Sequence, residues 1–456
     1  MTRQGLWLYG TRLLLPRGEC IKMVFSIKNS GTYLFSVIAA LAVLSIYAAA
    51  IFSQSLNIPF RDDFQDILIF VVEFHAASGI RDSMRVLVEQ HADHLTYASR
   101  VFYYLIFMLE GEVNFRTMVV VSHLGVLFLS CLFYSQIDVI SPLKPVFFVC
   151  LFLLLLHPRA YGLLIWPMAT FAFFFAFAYP LATFALLKNP AGYRYPLAIL
   201  CAVLATFTMS MGQFVWVLGL LFLWIERHVL GGRYRGYLFG WVLAALATMV
   251  LFYSYFSPQF QMSDLLGYVL ENPIHSLEVY VTMLGSGLGF GHAPLSQVLG
   301  VVSLVVSVFF LFQGVKNGLK PLHYFLLFNL GSIAMIVMGR AYGFAFFETP
   351  VEKIALRPRY TFASLMLWLT LFVLCLNAIK TVIFLKVVSI LAVAMLYNAA
   401  CYQLFYPQFE QHRKQRLGEF NSFGVADSIA WPTQEILKKA EESGIYVQPK
   451  RPYKPH

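Results

Sequence analysis

The chain has 456 residues, of which 59% are hydrophobic and only 12% are charged, and its formal net charge is +10. Soluble globular proteins carry about 25% charged residues, so the composition excludes a water-soluble enzyme. Repeated apolar stretches of about 20 residues indicate membrane-spanning helices, and the sequence predicts an all-α polytopic membrane protein.

We expect about 11 transmembrane helices, with three of them short. Residues 1–30 form a cytoplasmic N-terminal segment, 31–402 the transmembrane domain, and 403–456 a small periplasmic tail. The tail has helix patterns at Pro407–Glu419 and Thr433–Glu442 and should pack on the outer face of the membrane domain. The predicted spans are 31–53, 117–135, 145–157, 168–187, 195–209, 212–225, 237–256, 295–314, 321–338, 360–378 and 382–402.

Lys and Arg residues set the orientation, because they concentrate in cytoplasmic loops. The basic N-terminal segment and every second short loop predict a cytoplasmic N-terminus and a periplasmic C-terminus. A twelfth span at 273–290 would break this alternation, so we predict none. The absence of Asn-x-Ser/Thr sites favours a bacterial inner membrane. Because the basic residues follow the topology, no nucleic-acid partner is expected. The loop cations are Lys144, Lys188, Arg194, Arg227, Arg233, Arg235, Lys316, Lys320 and Lys380.

The first loop, residues 54–116, follows the first span and is predicted to lie in the periplasm. Apolar residues recur at helical spacing after Phe64 and again around Met84, with charged residues between them. These patterns predict amphipathic helices in the membrane interface. The apolar segment Val101–Leu109 is too short to span, so a third interfacial or re-entrant helix is expected.

An acidic pair, Asp62 and Asp63, opens the first loop within the stretch "NIPFRDDFQD". Three interpretations remain open. The charges are simply solvated, or the acids bind Mg²⁺ or Mn²⁺ with help from "QHADH", or one carboxylate is a general base. Zinc is disfavoured, since the loop has no cysteine and no HExxH motif. We expect no cofactor and no essential divalent cation, because no third carboxylate has clear ligand spacing.

The chain resembles the polytopic glycosyltransferases of the GT-C fold, which use polyprenyl-phosphate sugars. The resemblance lies in the long loop after the first span and its opening acidic pair, "IPFRDDF". It continues in "EQHADHL", in the run "ASRVFYYLIFMLEGEVNFRTMVVVSHL", and in the late "ALRPRYTFASLMLWL" that begins at Ala355. It covers the whole topology, although its motifs are short.

This resemblance implies a transferase that moves a sugar from a polyprenyl-phosphate donor to a glycan or glycolipid acceptor, such as lipopolysaccharide, on the periplasmic face. An aspartate acts as base, with Asp63 favoured over Asp62 because it precedes a helix and could cap it. Membrane lipid is the other expected partner. The donor phosphate is assigned to Arg357, Arg359, Lys353 and Arg340, and substrate contacts to Arg61, His91, Asp93, His94, Arg100 and Tyr360.

Cations near the tenth span also have simpler interpretations. Arg357 and Arg359 flank Pro358 on the predicted outer side, against the positive-inside trend. An interfacial charge against that trend indicates function, but such side chains also snorkel to lipid headgroups. Tyr360 is equally typical of an aromatic membrane belt.

Three other classes of protein remain as alternatives. A polysaccharide polymerase or O-antigen ligase is also polytopic and uses arginine, but usually has its large loop late in the chain. A lipid-linked glycan transporter or flippase should have charges in the middle of its spans, and these spans have almost none. A structural membrane subunit without chemistry is a third option. A groove between the acidic pair and the late arginines favours a transferase, and a cavity through the membrane favours transport.

Overall fold

The computed structural model describes residues 30–90, 95–139, 143–227, 234–257, 262–342, 349–379, 384–423 and 433–449. Regular structure in these ranges is helical, and nine of the helices are long and apolar enough to cross a membrane. The predicted multi-pass helical membrane protein is therefore confirmed. The nine are Gly31–Gln54, Phe115–Ser135, Lys144–Leu164, Pro167–Leu187, Tyr234–Tyr255, Ala293–Asn317, Pro321–Arg340, Pro358–Ala378 and Phe384–Asn421.

Each of the eleven predicted spans coincides with a helix. The fifth and sixth correspond to two shorter apolar helices, Arg194–Thr206 and Ser210–Ile225. The third is longer than predicted, because the 3-10 turn Pro158–Ala160 continues it to Leu164. The segment 273–290 contains only the 13-residue helix Pro273–Gly285. It is not among the nine helices that are long and apolar enough to cross a membrane.

Proline marks the start of many of these helices. It occupies the first or second position of Lys144–Leu155, Pro167–Leu187, Pro273–Gly285, Ala293–Asn317 and Pro358–Ala378. Its fixed φ suits the first helical turn, where its missing N–H has no partner to lose. Two short helices, Met262–Glu271 and Val351–Ala355, connect longer ones.

The first loop folds into four helical segments. A π-helical turn, Phe64–Ile69, runs into Phe70–Ala76, and the loop continues with Ile80–Leu87 and Tyr97–Glu110. The first segment buries apolar residues and Asp66 alike, so the prediction that it is an interfacial amphipathic helix is wrong. It packs inside the protein because its acid has a buried partner, described below.

The helix Pro273–Gly285 packs very closely against Ala293–Asn317. A Cβ on Gly285 would collide with the backbone of Ser296, and one on Gly300 with the carbonyl oxygen of Val281. Glycine at these two positions therefore lets the helix backbones touch, as small residues do between membrane helices.

The turn that follows Gly285 is hydrogen-bonded by side chains of other helices. The Leu284 carbonyl accepts bonds from Ser364 Oγ at 2.6 Å and from Trp368 Nε1 at 3.1 Å. Tyr397 donates its hydroxyl hydrogen to the Gly287 carbonyl at 2.7 Å. Irregular backbone among membrane helices needs such partners, because lipid provides none.

The last helix, Phe384–Phe423, has 40 residues and is continuous through Pro407. Residues 407–419 are helical as predicted, but they belong to the same helix as the last span, which runs past residue 403 without a break. The second tail helix is confirmed at Thr433–Glu442. The predicted packing of the tail on the membrane domain is confirmed by its bonds to the first loop, which include Tyr446 Oη to the Asn57 carbonyl at 3.0 Å and Val113 N–H to the Ile445 carbonyl at 2.7 Å.

Candidate functional site

The acidic pair lies in a tight turn between the first span and the π-helical segment. Arg61 has a φ of 53°, in the left-handed region that residues other than glycine rarely adopt. Local backbone strain of this kind persists only where the surrounding structure imposes it, and it is frequent at functional sites. The turn exposes Arg61, half-buries Asp62 and completely buries Asp63.

The Asp63 carboxylate is bonded on both sides by backbone. Oδ2 accepts the Phe60 N–H at 3.0 Å, and Oδ1 accepts the Met168 N–H at 3.2 Å. Met168 lies in the first turn of Pro167–Leu187, where backbone N–H groups have no partner within the helix. Asp63 therefore caps a distant helix. The prediction that its side chain caps the following helix is wrong, because it makes no capping bond there.

Arg416 of the last helix lies beside Asp63 and is itself fully buried. It donates from Nη1 to the Ile165 carbonyl at 2.8 Å and from Nη2 to the Ile58 carbonyl at 3.2 Å. Burial raises the pKa of the Asp63 carboxyl to about 8, although Arg416 and the two backbone N–H groups favour its charged form. Arg416 thus ties the acidic turn to the segment that leads into Pro167–Leu187.

Asp66 and Arg100 form a second buried pair, 3.1 Å apart between Nε and Oδ1. The same oxygen of Asp66 accepts the Thr96 hydroxyl at 2.6 Å. Nη1 of Arg100 is close to the carbonyls of Val86, Leu87 and Glu89, at 3.2, 3.3 and 2.5 Å. Arg100 therefore holds the first loop together, and we leave this predicted substrate contact out of the proposed site.

Trp166 joins the first loop to the late arginines. Its ring centroid is 5.7 Å from the Arg61 guanidinium carbon and 5.8 Å from that of Arg359. The ring also meets Phe60 edge-on at 5.6 Å between centroids. The acidic turn and the "RPRY" element, separated by about 300 residues of sequence, thus lie against one indole.

Tyr360 brings a third arginine to the same place. Its ring centroid lies 4.9 Å from the Arg359 guanidinium carbon and 5.4 Å from that of Arg340. We call Arg61, Trp166, Arg340, Arg359 and Tyr360 the Trp166 cluster. Four of its five members are predicted site residues, and Trp166 is the addition.

The other two predicted phosphate ligands are arranged differently. Arg357 donates from Nε to the carbonyl of Lys353 at 2.8 Å, within its own segment. The Lys353 side chain is exposed. The contacts described for Arg357 and Lys353 do not involve the Trp166 ring, and their predicted phosphate contacts stay predictions.

Several buried hydrogen-bond donors near the Trp166 cluster have no hydrogen-bond partner within the described ranges. They are Trp166 Nε1, Arg359 Nε and, on the last helix, Arg416 Nε, and the buried Nε2 of His412 on that helix has no partner either. Buried polar groups are nearly always bonded, and each exception calls for an explanation. Trp and Arg can only donate, so a ligand that satisfies them must accept hydrogen bonds. The adjacent guanidinium groups favour an anion.

His412 and Arg416 are site residues that the sequence reasoning missed. The His412 ring is 5.7 Å from Phe60 and 5.9 Å from Tyr161, between centroids. Their signal was the run "EQHRKQR" at the end of the last span. Three cations there lie on the predicted outer side, against the positive-inside trend. Trp166 gave no signal beyond the dipeptide Trp-Pro at a helix start.

His91, Asp93 and His94 lie outside the described residues, so their predicted roles are open. In the part of the chain that the structure describes, no group of three or more His, Cys, Asp or Glu side chains is arranged to hold a metal ion. The prediction that transfer needs no divalent cation stays a prediction.

Comparisons of the chain with protein-family models, with curated proteins and with solved structures gave no match.

Proposed function

We propose that this protein is a membrane glycosyltransferase that moves a sugar from a polyprenyl-phosphate donor to a glycan or glycolipid acceptor. The single observation that carries the proposal is the meeting of an acidic turn with arginines and unbonded donors at Trp166. A transferase of this class needs an anion site for the lipid phosphate and a nearby base. Sequence segments far apart in the chain supply both at one place.

The donor phosphate is assigned to the Trp166 cluster. Arg61, Arg340 and Arg359 provide positive charge, and Trp166 Nε1 and Arg359 Nε are donors without partners in the described part of the chain. One guanidinium group can bind two phosphate oxygens at once through charge-assisted hydrogen bonds. When the glycosidic bond breaks, the negative charge that develops on the leaving phosphate is stabilised by these same groups.

We assign the base to Asp62 in place of Asp63, which the sequence favoured. A general base must come within hydrogen-bond reach of the proton that it accepts. Asp63 is completely buried and both its oxygens already accept backbone N–H groups, whereas Asp62 is half-buried beside Arg61. Asp62 therefore takes the hydroxyl proton of the acceptor. The oxygen forms a bond to the anomeric carbon, and the phosphate leaves with the electrons of the broken bond.

The proposed setting is a bacterial inner membrane, with a cytoplasmic N-terminus and a periplasmic first loop and C-terminus. Two first-loop helices fit the membrane interface. Ile80 and Met84, one helical turn apart, are 85% and 50% exposed, and Leu105 and Leu109 are 57% and 86% exposed. Such apolar faces beside charged residues are typical of helices at the headgroup boundary.

The test is to compare surface glycans by mass spectrometry in cells with the gene, without it, and with Asp62→Asn. We expect one sugar modification to disappear in the deletion, return with the wild-type gene, and stay absent with Asp62→Asn. A matched control is Asp82→Asn, another half-buried acid of the same loop. Identical glycans in all strains, with the protein present in the membrane, would contradict the proposal.

A second measurement isolates donor binding from transfer. Purified protein is titrated with a polyprenyl phosphate that carries no sugar, and its affinity is compared with that of Arg359→Gln. We expect a loss of about tenfold or more, because one charge-assisted contact is removed. Lys353→Gln, at an exposed site nearby, should change affinity little.

A further inference from the structure

Arg159 is a buried cation that the proposed reaction does not use. It lies within the apolar segment Lys144–Leu164 and is 3% exposed. Its guanidinium carbon is 4.2 Å from the ring centroid of Phe405 on the last helix. A charged residue in a membrane segment is costly, and such residues usually serve a function.

The protein compensates this charge only in part. Within the described ranges, Arg159 forms no ion pair with a carboxylate, and its one side-chain hydrogen bond runs from Nη2 to the Ser286 carbonyl at 3.1 Å. Ser286 follows the C-terminus of Pro273–Gly285, whose dipole contributes a partial negative charge. Nε has no partner among these residues. A capping role thus explains one donor and leaves a full positive charge without a counter-ion.

The side chains around Arg159 are polar but neutral. His157 accepts the Arg159 backbone N–H at 3.2 Å, and its ring meets that of Tyr397 at 5.2 Å between centroids. Tyr161 lies beside His412. Neutral polar side chains lower the free-energy cost of burying an anion beside Arg159, but they do not supply the negative charge that would balance it.

We propose that Arg159 anchors a second anion site, whose ligand is the phosphate of a membrane lipid. Phosphate esters are the commonest anions of a bilayer, and a guanidinium group binds two phosphate oxygens at once. Isoprenoid phosphates and ordinary phospholipids share this chemistry, and both reach the protein from the membrane.

This site is distinct from the Trp166 cluster. Phe405, which lies over Arg159, precedes His412 by seven residues on the same helix. At 1.5 Å per residue, that separation is about 10 Å along the helix axis. His412 meets Phe60, the ring that packs edge-on against Trp166, so we infer two separate places, each with a phosphate of its own.

The test uses purified, delipidated protein and follows its thermal stability as lipid is added. Phosphatidylglycerol supplies the phosphate, diacylglycerol is the matched lipid without it, and a polyprenyl phosphate is the isoprenoid probe. We expect phosphatidylglycerol, and not diacylglycerol, to raise the melting temperature of the wild type and of Arg359→Gln. Arg159→Gln should lose that increase, while Arg81→Gln, at an exposed position, should keep it.

Each outcome decides the matter. The proposal is overturned if Arg159→Gln keeps the full increase, if diacylglycerol acts as well as phosphatidylglycerol, or if Arg359→Gln also loses the increase. If only polyprenyl phosphate stabilises the protein, and only while Arg159 is present, the site exists and its lipid is the isoprenoid. Should Arg159→Gln not fold, Arg159→Lys replaces it. Lysine keeps the charge without the paired contact, so lipid affinity should fall about tenfold.

Discussion

Arg100 is buried and Arg359 is half-buried, and the surroundings of the two arginines differ. Arg100 has a carboxylate, Asp66, and three backbone carbonyls as partners. Arg359 faces two aromatic rings, and its Nε has no partner among the described residues. A buried cation whose bonds are all made within the protein stabilises the fold. Arg359 lies beside an indole N–H that also lacks a partner among these residues, and near two other arginines, which favours a ligand at that place.

The two aspartates of the acidic pair also differ in their surroundings. Asp63 is buried, with both oxygens bonded to backbone N–H groups, and Asp62 is half-buried at the edge of the turn. We therefore assign different roles to two adjacent carboxylates of the same chemistry: Asp63 caps a helix, and Asp62 acts as the base. The following predictions test whether that division holds.

The largest effect is expected for Arg100→Ala. It leaves Asp66 buried without a partner, and breaking a buried pair costs about 3–5 kcal/mol of stability. Thermal or denaturant unfolding in detergent measures the loss, with Arg81→Ala in the same loop as the exposed control. If Arg100→Ala keeps its stability but binds polyprenyl phosphate weakly, Arg100 is the ligand contact that the sequence predicted and the comparison fails.

Asp62→Asn should reduce sugar transfer about 10²- to 10⁴-fold, because the amide cannot accept the proton. We expect stability and donor affinity to remain near the wild-type values, because asparagine keeps the size and shape of the side chain. Transfer rates in membranes, with protein levels matched, measure the effect. Near-normal transfer by Asp62→Asn together with loss by Asp63→Asn would restore the assignment that the sequence favoured.

Arg359→Lys should weaken polyprenyl phosphate binding by about tenfold and leave the melting temperature nearly unchanged. Lysine keeps the charge but cannot make the paired phosphate contact or stack on Trp166 in the same way. Titration with the lipid phosphate measures the change, and Arg357→Lys is the neighbouring comparison. An equal loss for both variants would widen the site to include Arg357.

The last prediction concerns pH. Burial raises the pKa of Asp63 to about 8 in the folded protein, whereas an unfolded chain titrates near pH 4. Between these values the folded state holds the proton and the unfolded state has lost it. This group therefore stabilises the protein most below about pH 4, and the contribution declines as pH rises toward 8.

Asp63→Asn should flatten that part of the stability curve, since it does not titrate. Melting temperatures at several pH values between 4 and 9 provide the measurement, with Asp62→Asn as the neighbouring control. A wild-type protein that instead gains stability across this range, with the gain lost in Asp63→Asn, would show that Arg416 keeps Asp63 charged.

Hydrophobic patterning located most of the fold, because a bilayer requires long apolar helices and little else. All eleven predicted spans coincide with helices, and the failures occur where polar contacts decide. The buried Asp66 could not be distinguished from a surface acid until Arg100 was found beside it. The continuous last helix was divided at Pro407, although neighbouring residues can accommodate proline there.

The candidate site was partly visible in sequence for a related reason. Arg359 and Arg61 stood out because charges are rare in this chain, so each one carries information. Trp166 did not, since aromatic residues make up 17% of the sequence and most pack in the core or face lipid. The roles of Asp62 and Asp63 depend on which backbone N–H groups lie nearby, which no local pattern records.

The length of the last helix has a mechanical consequence. Its 40 residues extend about 60 Å, roughly twice the thickness of a hydrocarbon core. One end lies among lipid-facing residues, and the other holds Arg416 against the acidic turn. In a straight helix of this length, a small change of tilt in the bilayer produces a larger displacement at the far end of the helix. We therefore expect a change of membrane thickness, which alters helix tilt, to shift the end of this helix that lies against the acidic turn.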